Sequence, residues 1–317
     1  MSLADHFMDL FAGREDAVGT EEGGALRRPD DAMAWWWATQ IKKHLDGTAP
    51  CGVYPLVPTP WMSDETPTWF VKWGCVDFDE GEQESFIHAQ NVRLALESMG
   101  VTAWVERSRS KGYHVWVFLQ NWMAARLVRE ALLGACQVVD APTKEINPKS
   151  TGYDDPATLG NYVRLPYPGW LAPYGETFPW PRDRRVMVTP DGYPIALAAF
   201  MSKARQTLAS VDDMKRVAGL YEPPKRAVVP PPAVVSGDMY RRMSGLAWTI
   251  FQEGPREGLG RGHTLYKLAC LLAEGGEHTM NEAYQICLEA DFRWGKFHLR
   301  PNGEAQVMRV VERAYGA

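Results

Sequence analysis

The sequence predicts an α+β fold in which a split-βαβ unit with additional β elements is followed by a small all-α bundle. Residues 70–147 alternate between β-rich runs and helical spacing in the order βαββαβ. Residues 238–315 show helical spacing throughout, and a proline-rich stretch at 222–235 separates the two regions. We therefore predict two domains, residues 1–221 and 236–317, joined by a stiff linker.

The first half of the split-βαβ unit is a strand, a helix and a hairpin. The run WFVKWGCVDFD (69–79) is rich in β-forming residues. Residues 84–99 have helical apolar spacing, and Gly100 is placed to end that helix. TAWVER (102–107) and YHVWVFL (113–119) read as two strands joined by the turn SRSKG.

The second half is predicted from shorter signals. A helix is expected from about residue 122 to 139, followed by short strands at 143–147 and 161–166. These complete an RRM-like core over about 70–166. Residues 186–195 resemble a hairpin and residues 196–220 a helix.

The first 45 residues give weaker signals. Residues 1–30 are predicted to be a partly ordered lead-in, and Asp30 or Asp31 to cap a helix that runs through about Leu45. The three tryptophans at 35–37 cannot share one helical face, so at least one is expected to be exposed.

Composition excludes several classes of protein. The 317 residues carry a net charge of −5, and no apolar run approaches the roughly 20 residues of a membrane span. The five cysteines lie far apart, which argues against a disulfide framework and against structural zinc. The start of the chain lacks a basic-then-apolar signal. We expect a cytoplasmic protein with free core thiols and no membrane partner.

The predicted topology brings remote polar residues to one end of one sheet. The first strand would lie between the third and the fourth, both antiparallel to it. Asp77 and Asp79 would then lie beside His114 and Glu145. Strand residues two apart share a face, so the two aspartates point together, away from the covering helices. His114 is expected on the same open side.

These acids are candidate ligands for two divalent cations, Mg²⁺ or Mn²⁺. Mg²⁺ prefers carboxylate oxygens and keeps positions open for phosphate. We predict Asp77, Asp79 and Glu145 as the catalytic metal ligands, with Asp140 as an alternative third ligand. The other interpretation is a solvated acidic pair at a strand end.

The turn after the second strand is a candidate phosphate cradle. Hydroxyls, amides and a lysine suit an anion, and the turn offers Ser108, Ser110 and Lys111, with His114 beyond it. Arg164 is a further candidate phosphate contact. The alternatives are an ordinary polar hairpin turn and a surface ion pair.

These segments resemble the motifs of the archaeo-eukaryotic primase superfamily. VDFD, SRSKGYHVWVF and KEINPKS followed by GNYVRLPYPG are similar, in order and spacing, to its motifs I, II and III. The resemblance covers about residues 50–200 and is nearest to primase-polymerases of phages, plasmids and mobile elements. The third motif departs from the usual pattern, because VVD at 138–140 and KEI at 144–146 both partly fit it.

The resemblance implies a function. It implies a template-dependent DNA primase-polymerase that makes and extends primers on single-stranded DNA from NTPs or dNTPs. It carries over Asp77, Asp79 and a third acid as metal ligands and the 108–114 segment as nucleotide-binding. Residues 238–315 are similar to the helical primase C-terminal domain, which assists template binding, and a helicase domain or a replisome protein is an expected partner.

Two rival functions stay open at this stage. One is a gap-filling polymerase of the end-joining type. The other is a non-catalytic RRM-like protein that binds RNA or a replication origin, in which paired aromatics on the sheet face stack on bases. Trp116 and Phe118 are the residues that keep the second rival open.

Overall fold

The computed structural model describes residues 2–58, 68–153, 155–171, 184–223, 237–255, 260–295, 297–300 and 302–316. The chain divides into two compact units, Met1–Glu222 and Pro223–Ala317. Most of the predicted linker, residues 224–235, lies outside the described residues. The mixed α+β class predicted from the sequence is confirmed.

The first unit combines both element types. Its strands are β1 (Ala17–Thr20), β2 (Ala25–Arg27), β3 (Cys51–Val53), β4 (Val57–Pro58), β5 (Trp69–Phe78), β6 (Trp104–Arg107), β7 (Tyr113–Ala124), β8 (Ile146–Asn147), β9 (Val163–Arg164) and β10 (Val186–Val188). Its helices are α1 (Leu3–Leu10), α2 (Trp36–Asp46), α3 (Glu82–Ser98), α4 (Ala125–Val138), α5 (Leu197–Ala204) and α6 (Val211–Ala218).

The larger sheet places the candidate residues side by side. Its order is β10-β6-β7-β5-β4, with β8 also paired to β5, and all of these pairs are antiparallel. Strand β5 therefore lies between β7 and β8. In register, Asp77 is opposite His114 and His114 is opposite Glu106. The ends of three strands thus meet at one place.

The two faces of this sheet are covered differently. On one face, Phe78 stacks on His88 of α3, and a side chain at Gly74 would collide with Leu132 and Val128 of α4. On the other face lie Asp77, His114 and a layer of aromatic rings. That layer, which we call the aromatic layer, consists of Trp73, Trp116, Phe118, Phe11 and Phe200, of which Phe11 and Phe200 come from just after α1 and from α5.

A second sheet of four strands, in the order β2-β1-β3-β9, forms beside the first. Gly19 and Gly52 are cross-strand partners in it. A Cβ atom at either glycine would lie within 2.4 Å of the Tyr162 ring, so only glycine allows that ring to rest on the sheet. The strand predicted at 161–166 belongs here, as β9, and not to the larger sheet.

Several local predictions are wrong. The segment 1–30 is not a loose lead-in, because α1, β1 and β2 form in it and Phe7 and Phe11 are fully buried. Helix α2 begins at Trp36 after the N-cap Trp35, so neither Asp30 nor Asp31 caps it. One helix was predicted over 196–220, but Ser210 caps a separate α6 with a complete capping box.

Other local predictions hold. Gly100 follows α3 with φ +79°, the left-handed conformation that suits glycine at a helix end. Of the three adjacent tryptophans, Trp35 is 62% exposed and Trp37 7% exposed, as expected for residues that cannot share a face. All five cysteines are free.

The second unit is helical wherever it is described. It contains α7 (Gly237–Arg241), α8 (Gly245–Glu253), α9 (Arg261–Glu274), α10 (Met280–Trp294) and α11 (Gly303–Tyr315). The predicted apolar stripes are buried in its core: Leu265, Leu268, Ala269 and Leu272 on α9, and Ala283, Ile286, Cys287 and Ala290 on α10. Within the described segments, no helix is both long and apolar enough to cross a membrane.

Candidate active site

A cavity of about 280 Å³ lies where β5, β7 and β8 meet. Acidic and basic side chains both line it, and some of them form ion pairs with each other. The lining consists of Asp77, Asp79, Glu106, Ser108, Arg109, Ser110, His114, Glu145, Asn147, Lys149, Asn161, Tyr162, Val163, Arg164 and Arg185. Seven of the predicted site residues, including Ser108 and Ser110 of the turn, are therefore joined by several that were not predicted.

Asp77 and His114 form an ion pair at the centre of this cavity. His114 Nε2 lies 3.4 Å from Asp77 Oδ1, as their cross-strand register requires. His114 is 8% exposed, so it is largely buried, but it still lines the cavity.

Glu106 completes a chain of three groups and was not foreseen. Its Oε2 accepts hydrogen bonds from His114 Nδ1 at 2.8 Å and from Trp116 Nε1 at 2.6 Å. Glu106 is 1% exposed. The order Glu106–His114–Asp77 runs across β6, β7 and β5.

This arrangement controls the charge of His114. Burial by itself would lower the pKa of His114, but the carboxylates of Glu106 and Asp77 outweigh it and raise the pKa to about 10. Burial would raise the pKa of Asp77, and the charges of His114, Lys149 and Arg164 instead lower it. At neutral pH the imidazolium and the Asp77 carboxylate are thus both charged.

Glu145 is held next to Asp77 by the backbone. The Asp77 amide donates to the Glu145 carbonyl at 2.9 Å. Arg129 on α4 donates to the carbonyls of Ile146 and Pro148 and so fixes the segment that carries Glu145. The Glu145 carboxylate itself pairs with Lys149.

The predicted cradle is only partly assembled. Ser108 and Ser110 line the cavity, whereas Lys111 is exposed and is not part of the lining. The cation that this turn contributes to the cavity is Arg109, which pairs with Glu21 at 3.1 Å. The Arg184 guanidinium holds the turn from outside through the Ser110 carbonyl.

Arg164, at the end of β9, lines the same cavity as the acids. One of its guanidinium nitrogens donates to the Glu21 carbonyl at 3.0 Å, and its Nε is buried with no hydrogen-bond partner among the described residues. The buried Arg185 donates to the Glu21 carboxylate at 2.7 Å and to the Leu165 carbonyl. Arg164 and Arg185 thus line the same cavity as the carboxylates.

The donor set suits a hard divalent cation. Asp79 is exposed just beyond the end of β5, and Asp77 and Glu145 line the same cavity. Among the residues that the structure describes, however, no group of three histidine, cysteine or acidic side chains is arranged to hold a metal ion. Instead, Lys149 pairs with Glu145 and His114 pairs with Asp77. These two cationic side chains neutralise the carboxylates.

Two alternatives raised from the sequence fit the structure poorly. Asp140 ends α4 at φ +52° and is not part of the cavity lining. Trp116 and Phe118 are 0% and 2% exposed beneath Phe11, so they are not open to stacking on bases.

The cavity residues that were not predicted are of two kinds. Glu21 and Arg185 lie far along the chain from the motifs, whereas Arg109 and Lys149 lie within the motif segments themselves. Glu106 could have been predicted from the sequence, because it lies in the strand TAWVER at the position opposite His114 in the hairpin. Glu21, Lys149 and Arg185 carried no such signal.

Comparison with known proteins identifies the type of the domain. Residues 29–170 match the family model described as the archaeo-eukaryotic primase domain of TOTE conflict systems. No curated protein matches the chain. A solved structure, the primase RepB′, aligns over 99% of this chain and 94% of that chain with 17% identity and a TM-score of 0.29, a likeness too low to support a shared fold. The family match thus confirms, over residues 29–170, the resemblance of the motifs to the archaeo-eukaryotic primase superfamily.

Proposed function

We propose that this protein is a DNA primase-polymerase, a template-dependent nucleotidyltransferase that makes and extends primers on single-stranded DNA. The observation that carries the proposal is the meeting of Asp77, His114 and Glu145 in one cavity that also holds Arg109, Arg164 and Lys149. Base pairing with a template strand would select the NTP or dNTP. The primase-domain match supports this function over a gap-filling role.

The strand order supports the same proposal. Strands β6, β7, β5 and β8 lie in the order 2-3-1-4 of a split-βαβ unit, and α3 and α4 pack on one face. We take this as an RRM-like catalytic core. It explains why one end of the sheet collects side chains from Asp77 to Glu145.

In this proposal the basic and hydroxyl side chains bind the triphosphate. Arg109, Arg164 and Lys149, which all line the cavity, would neutralise the triphosphate, and Ser108 and Ser110 would donate hydroxyls to its oxygens. His114, charged at neutral pH, would donate Nε2–H to the same anionic tail. When the nucleotide arrives, Lys149 and His114 would exchange their contacts with carboxylates for contacts with phosphate.

Asp77, Asp79 and Glu145 are the residues that would hold the divalent ions, Mg²⁺ or Mn²⁺. Bound there, such ions would lower the pKa of the attacking 3′-hydroxyl and neutralise the triphosphate. Glu145 must then separate from Lys149 before it can act as the third metal ligand.

The helical unit has a separate proposed role. We assign it to template binding and initiation, in the manner of a helical primase C-terminal domain. Arg261, His263 and Lys267 are the candidate phosphate contacts on α9, and a helicase or another replication protein is the expected partner. Arg261 already donates to the Gly295 carbonyl at 3.0 Å, so Lys267 is the residue to change first.

The acids are tested by Asp77→Ala combined with Asp79→Ala. Primer extension should be abolished, with circular dichroism and nucleotide-free melting close to wild type. Asp212→Ala, which changes an aspartate that is 90% exposed on α6, is the matched control. Extension by the purified double variant at the wild-type rate would refute the assignment.

Priming is tested separately. The protein is incubated with unprimed single-stranded DNA, labelled nucleotides and Mg²⁺ or Mn²⁺. New short products are expected. Products that arise only from primed templates would reduce the function to that of a polymerase.

A further inference from the structure

Glu106 is a buried carboxylate that the nucleotidyl-transfer chemistry does not need as a metal ligand. It is 1% exposed, and Trp116 and His114 donate to the same oxygen, Oε2. Its other oxygen, Oε1, is buried with no hydrogen-bond partner among the described residues. This position is therefore not optimised for stability.

The adjacent cross-strand pair shows which residues would stabilise this part of the sheet. Val105 and Val115, which form the adjacent cross-strand pair, are both buried and apolar. Burying a carboxylate costs several kcal/mol by common estimates, and an apolar replacement of similar volume is often neutral or stabilising. Retention of an acid here calls for a role other than packing.

The geometry defines that role. Glu106 occupies Nδ1 of His114, which commits that nitrogen to donating and fixes the plane of the ring. The opposite nitrogen, Nε2, is then directed at the cavity, 3.4 Å from Asp77. Trp116 in turn holds the Glu106 carboxylate from the aromatic layer. A ring turned by 180° would lose both contacts.

We propose that Glu106 is a positioning residue that orients His114 so that Nε2–H donates to the anionic tail of a nucleoside triphosphate. This inference rests on the proposed function of the cavity. Glu106 itself touches neither nucleotide nor metal, and its effect passes through His114. Its removal should therefore weaken nucleotide binding only while His114 is present.

The test compares E106Q and E106L. Gln keeps an acceptor for Nδ1–H and Trp116, whereas Leu keeps only the volume. Affinity is measured by calorimetry with an α,β-methylene nucleoside triphosphate and Mg²⁺, so that no turnover is required. E106L should bind about tenfold more weakly, equivalent to about 1.4 kcal/mol, and E106Q should lie between it and wild type.

A double-mutant cycle with His114→Ala separates positioning from general damage. In the His114→Ala background, E106Q should change affinity by less than about twofold, because the group that it orients is absent. A ¹⁵N-histidine spectrum gives an independent readout, since the Nδ1 proton of His114 should be protected from exchange in wild type and exposed in E106L. Glu130→Gln, which changes a carboxylate paired with Arg126 on α4, is the matched control.

The outcomes are distinguishable. Equal affinity of E106L, E106Q and wild type, with weak binding by His114→Ala, would overturn the positioning role and leave the proposed function standing. Equal losses by Glu106 variants with and without His114 would also overturn it. If His114→Ala binds nucleotide as tightly as wild type does, both the positioning role and the proposed function of the cavity are contradicted.

Discussion

One face of the strand pair β5 and β7 is aromatic at one end and charged at the other. At one end, Trp73 and Trp116 are fully buried and belong to the aromatic layer. At the other end, Asp77 and His114 form an ion pair beside a cavity. Both ends follow the same two-residue alternation along β5 and β7.

The difference lies in what covers each end. Phe11 and Phe200, from the N-terminal and C-terminal parts of the first unit, pack on the aromatic end. At the polar end, residues of the turn at 108–112, Tyr162 and strand β9 line a cavity instead. Whether a strand position becomes core or site is therefore decided by distant segments.

The largest expected effect on the free energy of unfolding comes from removing a ring of the aromatic layer. Phe11→Ala should reduce the free energy of unfolding by about 3–5 kcal/mol, because a fully buried ring is replaced by a cavity. Denaturant melts measure this change, and Leu94→Ala on the exposed side of α3 is the control. The folded fraction should keep the wild-type nucleotide affinity. A parallel loss of affinity would show that the two ends are not separable.

A similar loss is expected at the polar end from Arg185→Met. Removing one member of a buried ion pair leaves Glu21 and the Leu165 carbonyl without their main donor, at a cost of roughly 3 kcal/mol. Here, in contrast to Phe11→Ala, nucleotide affinity should fall as well, since Arg185 lines the cavity. Arg126→Met, at a side chain that is 77% exposed, should change neither quantity.

Trp116 joins the two ends and should show an intermediate effect. Trp116→Phe keeps a ring in the aromatic layer but removes the donor to Glu106. The unfolding free energy should fall by about 1–3 kcal/mol, the usual cost of leaving a buried acceptor unsatisfied. Trp104→Phe, on the next strand and in contact with Phe200, is the matched control. Equal effects of the two variants would mean that the bond to Glu106 contributes nothing.

The last expected effect is a dependence of stability on pH that only the polar end should show. The pKa of His114 is raised from 6.5 to about 10, so its contribution to stability is fully present below pH 6.5 and is lost as the pH rises through about 10. The difference in unfolding free energy between wild type and His114→Gln, measured in EDTA, should shrink over that range. The Phe11→Ala difference should stay constant. A difference for His114 that does not change with pH would contradict the charged state.

Much of the first unit could be predicted from local patterns. The strand at β5, the helix α3 and the hairpin of β6 and β7 all follow from periodicity and from the glycines that end them. The pairing of Asp77 with His114 follows from that topology. By contrast, α1, β1 and β2 were missed, because short elements that are stabilised by tertiary packing carry little periodic signal of their own.

The candidate site divides in the same way. Asp77, Asp79, Glu145 and His114 were predicted because strand ends in one sheet are related by a simple register. Lys111 was predicted for the cradle from its place in the turn, but the turn contributes Arg109 to the cavity instead, together with its neighbours Ser108 and Ser110. Glu21 and Arg185 come from segments separated by 164 residues, which no local pattern relates.

The sequence by itself determined the α+β class, the alternation along β5 and β7, and the acids and histidine that those strands carry. These follow from steric preferences and from a period of two, which act over a few residues. Only the tertiary structure decided that Trp116 is core and that Arg185 pairs with Glu21. Those outcomes depend on which distant surfaces exclude water, and that is a property of the assembled chain.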